Sequence, residues 1–280
     1  MNKLTTGRIE AALRTQVFGR NLVVLPRTGS TNDVAKDLAA QGAPEGTVVI
    51  ADEQTAGRGR MGRTWSAPSG DCLLCSILFR PGLPPTRIQW LTTLCALATA
   101  DGIEELTDLW VWLKWPNDLI VESSASDVPS PSWRKLGGIL TEMEVVAQQV
   151  EFVVVGIGVN VNVSLEVLPT LAPDATSILA ETQLSVDRVA LLAALLAGVE
   201  RRYRALRVGE DSRQEWMTRL ATLGRSVEAT TSKGVLTGVA ESVGEDGALL
   251  LRTPDGELHR LLAGDVTLSQ ETRTVEPKST

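Results

Sequence analysis

The sequence contains very little histidine and cysteine, and this shortage narrows the chemistry open to the protein. His259 is the only histidine among 280 residues, which argues against a Ser-His-Asp triad and against a zinc site built from several histidines. Three cysteines leave one over in any disulfide framework. Cys72 and Cys75 stand three apart in a strand-like segment, so they point to opposite faces and make a poor metal pair. Any chemistry is therefore expected to use lysine, arginine, carboxylates and amides.

Long apolar runs and an excess of positive charge are also missing. The N-terminus lacks the apolar core of a signal peptide. The longest apolar run, residues 189–199, falls well short of the roughly 20 residues that cross a bilayer, and it is interpreted as a buried helix. A net charge of −7 and a pI near 5.0 argue against general electrostatic binding of nucleic acid. We expect a cytoplasmic protein with no membrane or nucleic-acid partner.

Positive charge is instead concentrated in residues 54–63, which contain three glycines and three arginines. Glycine suits a loop that bends sharply or presses against a ligand. Arginine presents a charged fork of donors that matches phosphate and carboxylate groups. The segment follows residues 48–51, which are predicted to form a buried strand. By itself, the pattern fits a flap over a small anion, a solvated basic linker or an RGG-like contact with nucleic acid.

A cluster of polar residues opens the first long predicted helix, which extends to Gly42. Residues 28–33 read Thr-Gly-Ser-Thr-Asn-Asp. Ser30 and Asp33 have the spacing of a capping box, which is a purely structural interpretation. The same hydroxyls and amide at a helix N-terminus offer donors to a polar ligand. The two interpretations are compatible with each other.

Three further polar segments interrupt predicted strands. Residues 114–118 (Lys-Trp-Pro-Asn-Asp) form a corner that is either an ordinary turn or a ligand site. Lys135 precedes a glycine pair that lets backbone or ligand approach closely, although an isolated surface lysine is the alternative. Residues 156–160 (Gly-Ile-Gly-Val-Asn) fail as a dinucleotide fingerprint because a strand continues where a helix should open. A ligand beside this strand end is still compatible with the pattern.

The remaining periodicity predicts a large α/β region followed by a smaller β region. Helices are predicted over 4–18, 30–42, 87–100, 187–206 and 212–223, and strands over 22–25, 48–51, 71–79, 109–114 and 151–162. A Ser/Pro-rich surface loop is expected over 122–134. After residue 223, short strands separated by glycine turns are typical of a small barrel.

Five motifs, taken in order, resemble those of the biotin protein ligases, also called biotin–[acetyl-CoA-carboxylase] ligases. They occupy residues 29–32, 54–63, 114–118, 135–140 and 156–160. The resemblance extends from about residue 20 to 268 and implies an α+β fold, with a large mixed sheet flanked by helices and a C-terminal SH3-like barrel. It implies a catalytic biotin- and ATP-binding domain over 1–222, a barrel over 223–270 and a disordered tail over 271–280. It also indicates the form that lacks an N-terminal DNA-binding domain.

The resemblance implies an ATP-dependent ligase with two half-reactions. Biotin and ATP form biotinyl-5′-AMP and pyrophosphate, and biotin then passes to one lysine of a biotin carboxyl carrier domain. Mg²⁺ accompanies ATP, and no tightly bound prosthetic group is expected. The alternatives are a lipoate–protein ligase or octanoyl transferase of the same fold, a non-enzymatic regulator that responds to biotinyl-AMP, and an RNA-binding protein that uses the arginine loop.

The resemblance also implies a role for individual residues. Biotin binding is expected from Ser30, Thr31, Asn32, Gln54, Gly57, Arg58, Gly59, Arg60, Lys135 and Gly138, and nucleotide binding from Arg58, Arg60, Arg63, Trp65, Asn117 and Asn160. Asp118 is expected to bind the metal, and Lys135, Arg60 and Arg58 to be catalytic. Trp65 either latches the loop or packs in the core. Many members end the barrel with a Leu-Arg pair where this chain has Leu268 and Ser269, so a role for that arginine does not transfer.

The expected reaction brings two anions together, and this explains the need for cations. At ~4 Å and an effective dielectric of about 20, two like charges repel by about 4 kcal/mol, which slows a reaction roughly a thousandfold. Arg58, Arg60 and Lys135 can offset this repulsion, with Mg²⁺ supplying the remainder. A glycine-hinged loop can keep water from the reactive adenylate. The scheme requires no protein nucleophile.

Overall fold

A computed structural model of the chain describes residues 3–123, 132–210, 212–231 and 234–268. The helices in these residues are α1 (Thr6–Ala12), α2 (Thr31–Ala40), α3 (Gln89–Thr107), α4 (Leu168–Leu171), α5 (Ile178–Thr182), α6 (Arg188–Arg207) and α7 (Arg213–Arg219). The strands are β1 (Leu22–Leu25), β2 (Val48–Ala51), β3 (Cys72–Phe79), β4 (Trp112–Lys114), β5 (Asp118–Ser123), β6 (Ser132–Val146), β7 (Gln149–Asn160), β8 (Ser226–Thr231), β9 (Gly234–Val243), β10 (Leu249–Arg252), β11 (Leu258–Leu261) and β12 (Asp265–Leu268).

Seven of these strands form one large sheet in the order β1-β2-β3-β7-β6-β5-β4. The pair β1 and β2 is parallel, and every other neighbouring pair is antiparallel. Parallel strands need a crossover connection, which α2 supplies between β1 and β2. The predicted mixed sheet is therefore confirmed.

The two faces of the large sheet are covered by different helices. Helices α3 and α6 pack together over one face, where they share a core with side chains such as Val48, Ile50 and Val155. The apolar run predicted as a buried helix lies within α6, and Leu191, Leu195 and Val199 are buried there. Helix α2 packs on the opposite face, and α4 packs against the start of β3 on that face through Leu168 and Leu74. Since α2 is short, part of that second face is left open for other residues.

The last five strands form a smaller antiparallel sheet in the order β11-β10-β9-β8-β12. Its turn at 244–247 docks against two tryptophans of the larger region. Trp90 Nε1 donates to the carbonyl of Glu245 at 3.0 Å, and Trp115 Nε1 donates to the carbonyl of Gly247 at 3.0 Å. Side chains of both regions also belong to one buried cluster. The smaller sheet is thus packed next to the 114–118 corner.

Some predicted boundaries were wrong. The helix predicted over 4–18 ends at Ala12, because the backbone N–H groups of Gln16, Val17 and Phe18 donate to the carboxylate of Glu200 instead of to the preceding turn. Helix α3 extends to Thr107, seven residues beyond the predicted end at 100.

The surface loop predicted over 122–134 is shorter than expected, since β5 runs to Ser123 and β6 begins at Ser132. Residues 124–131 and the tail predicted over 271–280 lie outside the described residues. Cys72, Cys75 and Cys95 are free and buried, and burial raises the pKa of Cys75 to about 12. None of the helices in the described part of the chain combines the length and the apolar character that a membrane span requires.

Candidate active site

A cleft of about 900 Å³, counting the solvent in its mouth, lies on the face of the large sheet that α2 leaves open. Its walls are the arginine loop (residues 54–65), the start of α2, the 115–118 corner and the strands β6 and β7. Most of the residues predicted for the site line it, namely Ser30, Thr31, Asn32, Gln54, Arg58, Gly59, Arg60, Arg63, Trp65, Asn117, Asp118, Lys135 and Gly138. The structure therefore brings motifs from five parts of the chain into one cavity.

The arginine loop is a closed hairpin rather than an open linker. Trp65 N donates to the carbonyl of Gly57 at 2.9 Å, and Arg58 and Thr64 form a bridge just above that pair. A Cβ at Gly57 would collide with the backbone oxygen of Trp65. Gly57 is needed to close the hairpin, and it lies behind the lining of the cleft.

The two glycines of the 156–160 motif leave room for side chains from elsewhere. A Cβ at Gly156 would overlap the carboxamide of Asn32, and a Cβ at Gly158 would lie 2.7 Å from the indole ring of Trp65. These contacts explain why glycine recurs at alternate positions of a central strand. The glycines form the floor on which Asn32 and Trp65 lie.

One end of the cleft is polar and uncharged. Gln54 Oε1 accepts hydrogen bonds from the backbone N–H of Thr31 at 2.7 Å and from its hydroxyl at 3.0 Å. The amide of Gln54 thus satisfies the N-terminus of α2. Ser30 makes no capping hydrogen bond, so the capping-box interpretation of Ser30 and Asp33 was wrong. Ser30 is buried and lines the cleft.

Ser76 of β3 completes this polar end and was missed from the sequence. Its hydroxyl donates to Asn32 Oδ1 at 2.6 Å and lies 2.7 Å from Thr31 Oγ1. The signal was a single serine in an otherwise apolar strand. Because buried polar groups need partners, such a serine indicates polar groups packed against it.

Arg58 points to two carboxylates at the edge of the cleft. Its two terminal nitrogens donate to Asp33 at 2.6 and 2.7 Å, and one of them also reaches Glu142 Oε2 at 3.1 Å. The hydrogen bond from Arg58 holds the pKa of Asp33 down at about 2. Lys36 pairs with the same two carboxylates. Lys36 and Glu142 were not assigned any role from the sequence, and Asp33 was considered only as part of a capping box.

Arg60 and Asn117 connect the loop to the 115–118 corner. Arg60 Nη1 donates to Asn117 Oδ1 at 3.3 Å. Asn117 is itself fixed, since its amide nitrogen donates to the carbonyl of Ile139 at 2.7 Å. Burial lowers the pKa of Arg60, but an arginine starts so high that it stays charged at neutral pH.

The other end of the cleft is cationic. Lys135 Nζ lies 2.7 Å from Asp118 Oδ1, and Lys114 Nζ lies 3.9 Å from the second oxygen of that carboxylate. Lys135 Nζ also lies 5.9 Å from the centre of the Trp65 ring. The indole N–H of Trp65 is buried and, within the described ranges, has no hydrogen-bond partner. A donor and a cation are thus available to a ligand that enters this end.

Two predicted residues have other surroundings. Arg63 lines the cleft but pairs with Asp265 of β12, which links the loop to the smaller sheet. Asn160 is buried outside the lining, and its amide donates to the carbonyl of Thr176 at 2.9 Å. Nucleotide binding by Asn160 stays a prediction.

Asp118 was predicted to bind a metal. Among the residues that the structure describes, no three of histidine, cysteine, aspartate and glutamate cluster as a metal site. Two carboxylates line the cationic end, Asp118 and Asp265, and Asp265 is already paired with Arg63. That donor set fits an Mg²⁺ ion that takes most of its ligands from phosphates and water, and it does not fit an ion held by protein groups alone.

Comparisons with known proteins match both regions of the chain. A model of the biotin/lipoate A/B protein ligase family matches residues 24–160, and a model of the biotin protein ligase C terminal domain matches residues 222–269. A biotin–[acetyl-CoA-carboxylase] ligase of Mycobacterium tuberculosis is 34% identical over 269 residues, which cover 92% of this chain and 94% of that protein.

Two further similarities agree with this match. The bifunctional ligase/repressor BirA of Bacillus subtilis is 34% identical over 269 residues, which cover 95% of this chain and 79% of that protein. The solved biotin protein ligase of Aquifex aeolicus in complex with biotin and ATP has a TM-score of 0.74 at 26% identity, and the alignment covers 90% of this chain and 100% of that one.

Proposed function

The chain belongs to the biotin protein ligase family, and we infer that it is an enzyme that activates biotin with ATP and transfers it to a carrier protein. The main support is the meeting, in one cleft, of an uncharged polar end at Thr31 and Gln54 with a cationic end at Arg60 and Lys135. Biotin has a neutral ureido group at one end and a carboxylate at the other, so it matches this polarity. The biotin protein ligase C terminal domain over residues 222–269 favours biotin over lipoate.

In the proposed biotin subsite, Ser30, Thr31, Asn32 and Gln54 bind the ureido group. Their hydroxyls and amides are already oriented by one another and by Ser76. Preoriented groups bind a ligand with little further loss of conformational freedom. The carboxylate of biotin would then extend past Asn32 and Trp65, which cover Gly156 and Gly158, towards Lys135.

In the first half-reaction, a carboxylate oxygen of biotin forms a bond to the α-phosphorus of ATP, and the bond from that phosphorus to the bridging oxygen of pyrophosphate breaks. Lys135 and Arg60 are proposed to offset the repulsion between the two anions and to stabilise the negative charge on the phosphoryl oxygens. Asp118 holds the ammonium group of Lys135 in place. Asn117 does the same for the guanidinium of Arg60.

We propose that Mg²⁺ enters with ATP and that Asp118 provides its protein ligand. When bound, the ion neutralises charge on the phosphates. The neighbouring Lys135 and Lys114 then complete a site whose cations match the tri- and diphosphate anions. Arg63 and Trp65 are proposed to contact the nucleotide from the loop.

In the second half-reaction, the amine of the acceptor lysine attacks the acyl carbon of biotinyl-AMP, an amide bond forms, AMP leaves and the amine loses a proton. The adenylate must be protected from water until the acceptor arrives. The hairpin of the arginine loop covers the cleft from Arg58 to Trp65 and is proposed to provide this protection. The acceptor is proposed to be a biotin carboxyl carrier domain.

The decisive experiment is incubation of the purified protein with labelled biotin, ATP, Mg²⁺ and a carrier domain. Covalent label on the carrier, dependent on ATP and on the acceptor lysine, is expected. Biotin-dependent exchange of pyrophosphate into ATP isolates the first half-reaction. A parallel reaction with lipoate separates the two ligase activities, and exchange that depends on lipoate but not on biotin would contradict the proposal.

A further inference from the structure

Four charged residues beside the cleft form a closed cluster that the proposed mechanism does not explain. Arg58 donates to Asp33 and to Glu142, and Lys36 lies 2.7 Å from Glu142 and 3.1 Å from Asp33. Each cation therefore contacts both carboxylates. Of these four residues, only Arg58 lines the cleft. The other three hold it from behind.

This arrangement does not suit a cation that acts on phosphate. The fork of the guanidinium is matched to the carboxylate of Asp33 in a bidentate pair, which is the strongest geometry that arginine makes. Two cations and two carboxylates sum to zero, so the cluster presents little net field to an anion in the cleft. Arg60 and Lys135, by contrast, form the cationic end of the cleft.

Glu142 also connects the cluster to the proposed biotin subsite. Its Oε2 accepts a hydrogen bond from the amide of Asn32 at 2.7 Å. Asn32 Oδ1 in turn accepts from Ser76, which lies against Thr31. Thr31 donates to Gln54 at the base of the arginine loop. A continuous series of close polar contacts thus runs from the middle of the loop to its base, through the residues that are proposed to bind biotin.

We propose that Arg58 is a positioning residue that anchors the arginine loop to α2 and β6, and that Glu142 couples this anchor to the biotin subsite. The proposal rests on the proposed function for the identity of the ligand. When biotin binds Asn32, it fixes the side-chain amide of Asn32, which donates a hydrogen bond to Glu142. The carboxylate of Glu142 is thereby fixed as well, and it holds Arg58. Ordering of the loop and binding of biotin therefore favour each other, as linkage requires. Arg58 is then not one of the catalytic cations.

The two possible roles of Arg58 predict effects of opposite sign for one variant. Combining Asp33→Asn with Glu142→Gln removes two negative charges, keeps the shapes and leaves Arg58 in place. If Arg58 acts on anions in the cleft, freeing it strengthens the binding of biotin and ATP. If Arg58 is an anchor, the loop is released, and we expect the Kd for biotin to rise about tenfold, the effect of losing one charged hydrogen bond.

A second readout does not need any ligand. Trypsin cleaves after arginine and lysine, so the initial rate of cleavage within residues 58–63 reports how often the loop opens. We expect the double variant to be cut about tenfold faster than the wild type. Arg58→Lys keeps the charge but cannot bridge two carboxylates with a planar fork, and it should also be cut faster. Glu241→Gln removes one carboxylate from the exposed pair with Arg252 on the smaller sheet and is the matched control.

The outcomes separate this proposal from the proposed function. Thermal unfolding first shows that each variant is folded. If the wild type lacks biotin-dependent pyrophosphate exchange, the proposed function fails, while the cleavage rates still test the anchor. If the wild type is active, tighter or unchanged biotin binding in the double variant overturns the proposal. A rate of trypsin cleavage within the loop that is the same in Arg58→Lys as in the wild type also overturns the proposal.

Discussion

Lys135 Nζ lies 2.7 Å from Asp118 Oδ1, and the two residues reach the cleft from the adjacent strands β6 and β5. A carboxylate in this position holds the flexible side chain of the lysine in one place. It also leaves two of the three ammonium donors for other partners. The proposed attack of a carboxylate on a phosphate needs such a fixed cation. Replacing Lys135 tests this need for a fixed cation directly.

Lys135→Ala should cripple formation of the adenylate. Loss of one preoriented donor typically lowers a rate by about a hundredfold to a thousandfold, and we expect this range for biotin-dependent pyrophosphate exchange. Lys3→Ala, which removes an exposed lysine outside the lining of the cleft, serves as the control. Exchange at the wild-type rate in the Lys135 variant would show that the lysine has no part in the first half-reaction.

Arg60→Ala should let the adenylate escape. The side chain joins the loop to Asn117 at 3.3 Å, so its loss removes both a charge near the phosphate and a contact that holds the loop closed. We expect dissociation of biotinyl-AMP to accelerate about tenfold or more, with transfer to the carrier reduced and the fold intact. Gel filtration of the preformed complex measures retention, with Arg201→Ala as an exposed control. Retention of biotinyl-AMP by the variant equal to that of the wild type would refute the role assigned to Arg60.

Gly158→Ala should displace Trp65. The new Cβ would lie 2.7 Å from the indole ring, and overpacking of this kind costs about 1–3 kcal/mol. The ring forms part of the proposed nucleotide subsite, so adenylate binding should weaken as the fluorescence of tryptophan changes. Gly7→Ala makes the same substitution where no atom lies within 4 Å. Equal thermal stability and equal adenylate binding in both variants would contradict the contact.

Asp265→Asn should loosen the arginine loop from the smaller sheet. Arg63 pairs with this aspartate across the cleft mouth. The pair is exposed, so its effect on global stability should be only about 0–1 kcal/mol. Dissociation of the adenylate is expected to become faster and less sensitive to salt, because the attraction that salt screens is gone. If dissociation keeps the wild-type rate and salt dependence, the contact does not restrain the loop.

The ion pair of Asp33 and Arg58 should break only at acidic pH. The hydrogen bond from Arg58 lowers the pKa of Asp33 from 3.8 to about 2. Because the pKa in the folded state is depressed, the stabilisation is fully present above 3.8 and is lost as the pH falls from there towards 2. NMR titration of the Asp33 carboxyl group should give this low midpoint, and Arg58→Ala should return it towards 3.8. A wild-type midpoint near the ordinary value would mean that the pair does not form in solution.

Much of the fold could be predicted from local pattern. The strand at 48–51 has its predicted bounds, the helix predicted over 30–42 forms over Thr31–Ala40, and the mixed sheet agrees with what the family resemblance implied. The end of α1 could not be predicted, since it depends on a carboxylate nearly two hundred positions away at Glu200. Periodicity reports the face that is buried, and it does not report which distant group takes the backbone hydrogen bonds.

For the site, local motifs were enough to identify the segments that carry the chemistry, because each motif concentrates its donors and glycines within a few residues. They did not determine the partners. Asn32 and Glu142 are separated by 110 positions and Ser76 and Asn32 by 44, and no local signal connects such residues. The folded chain was needed to reveal that Gly156 and Gly158 make room for Asn32 and Trp65, and that Arg58 pairs with carboxylates. The reason is physical: steric fit and ion pairing depend on distances in space, which the folding of the sheet sets.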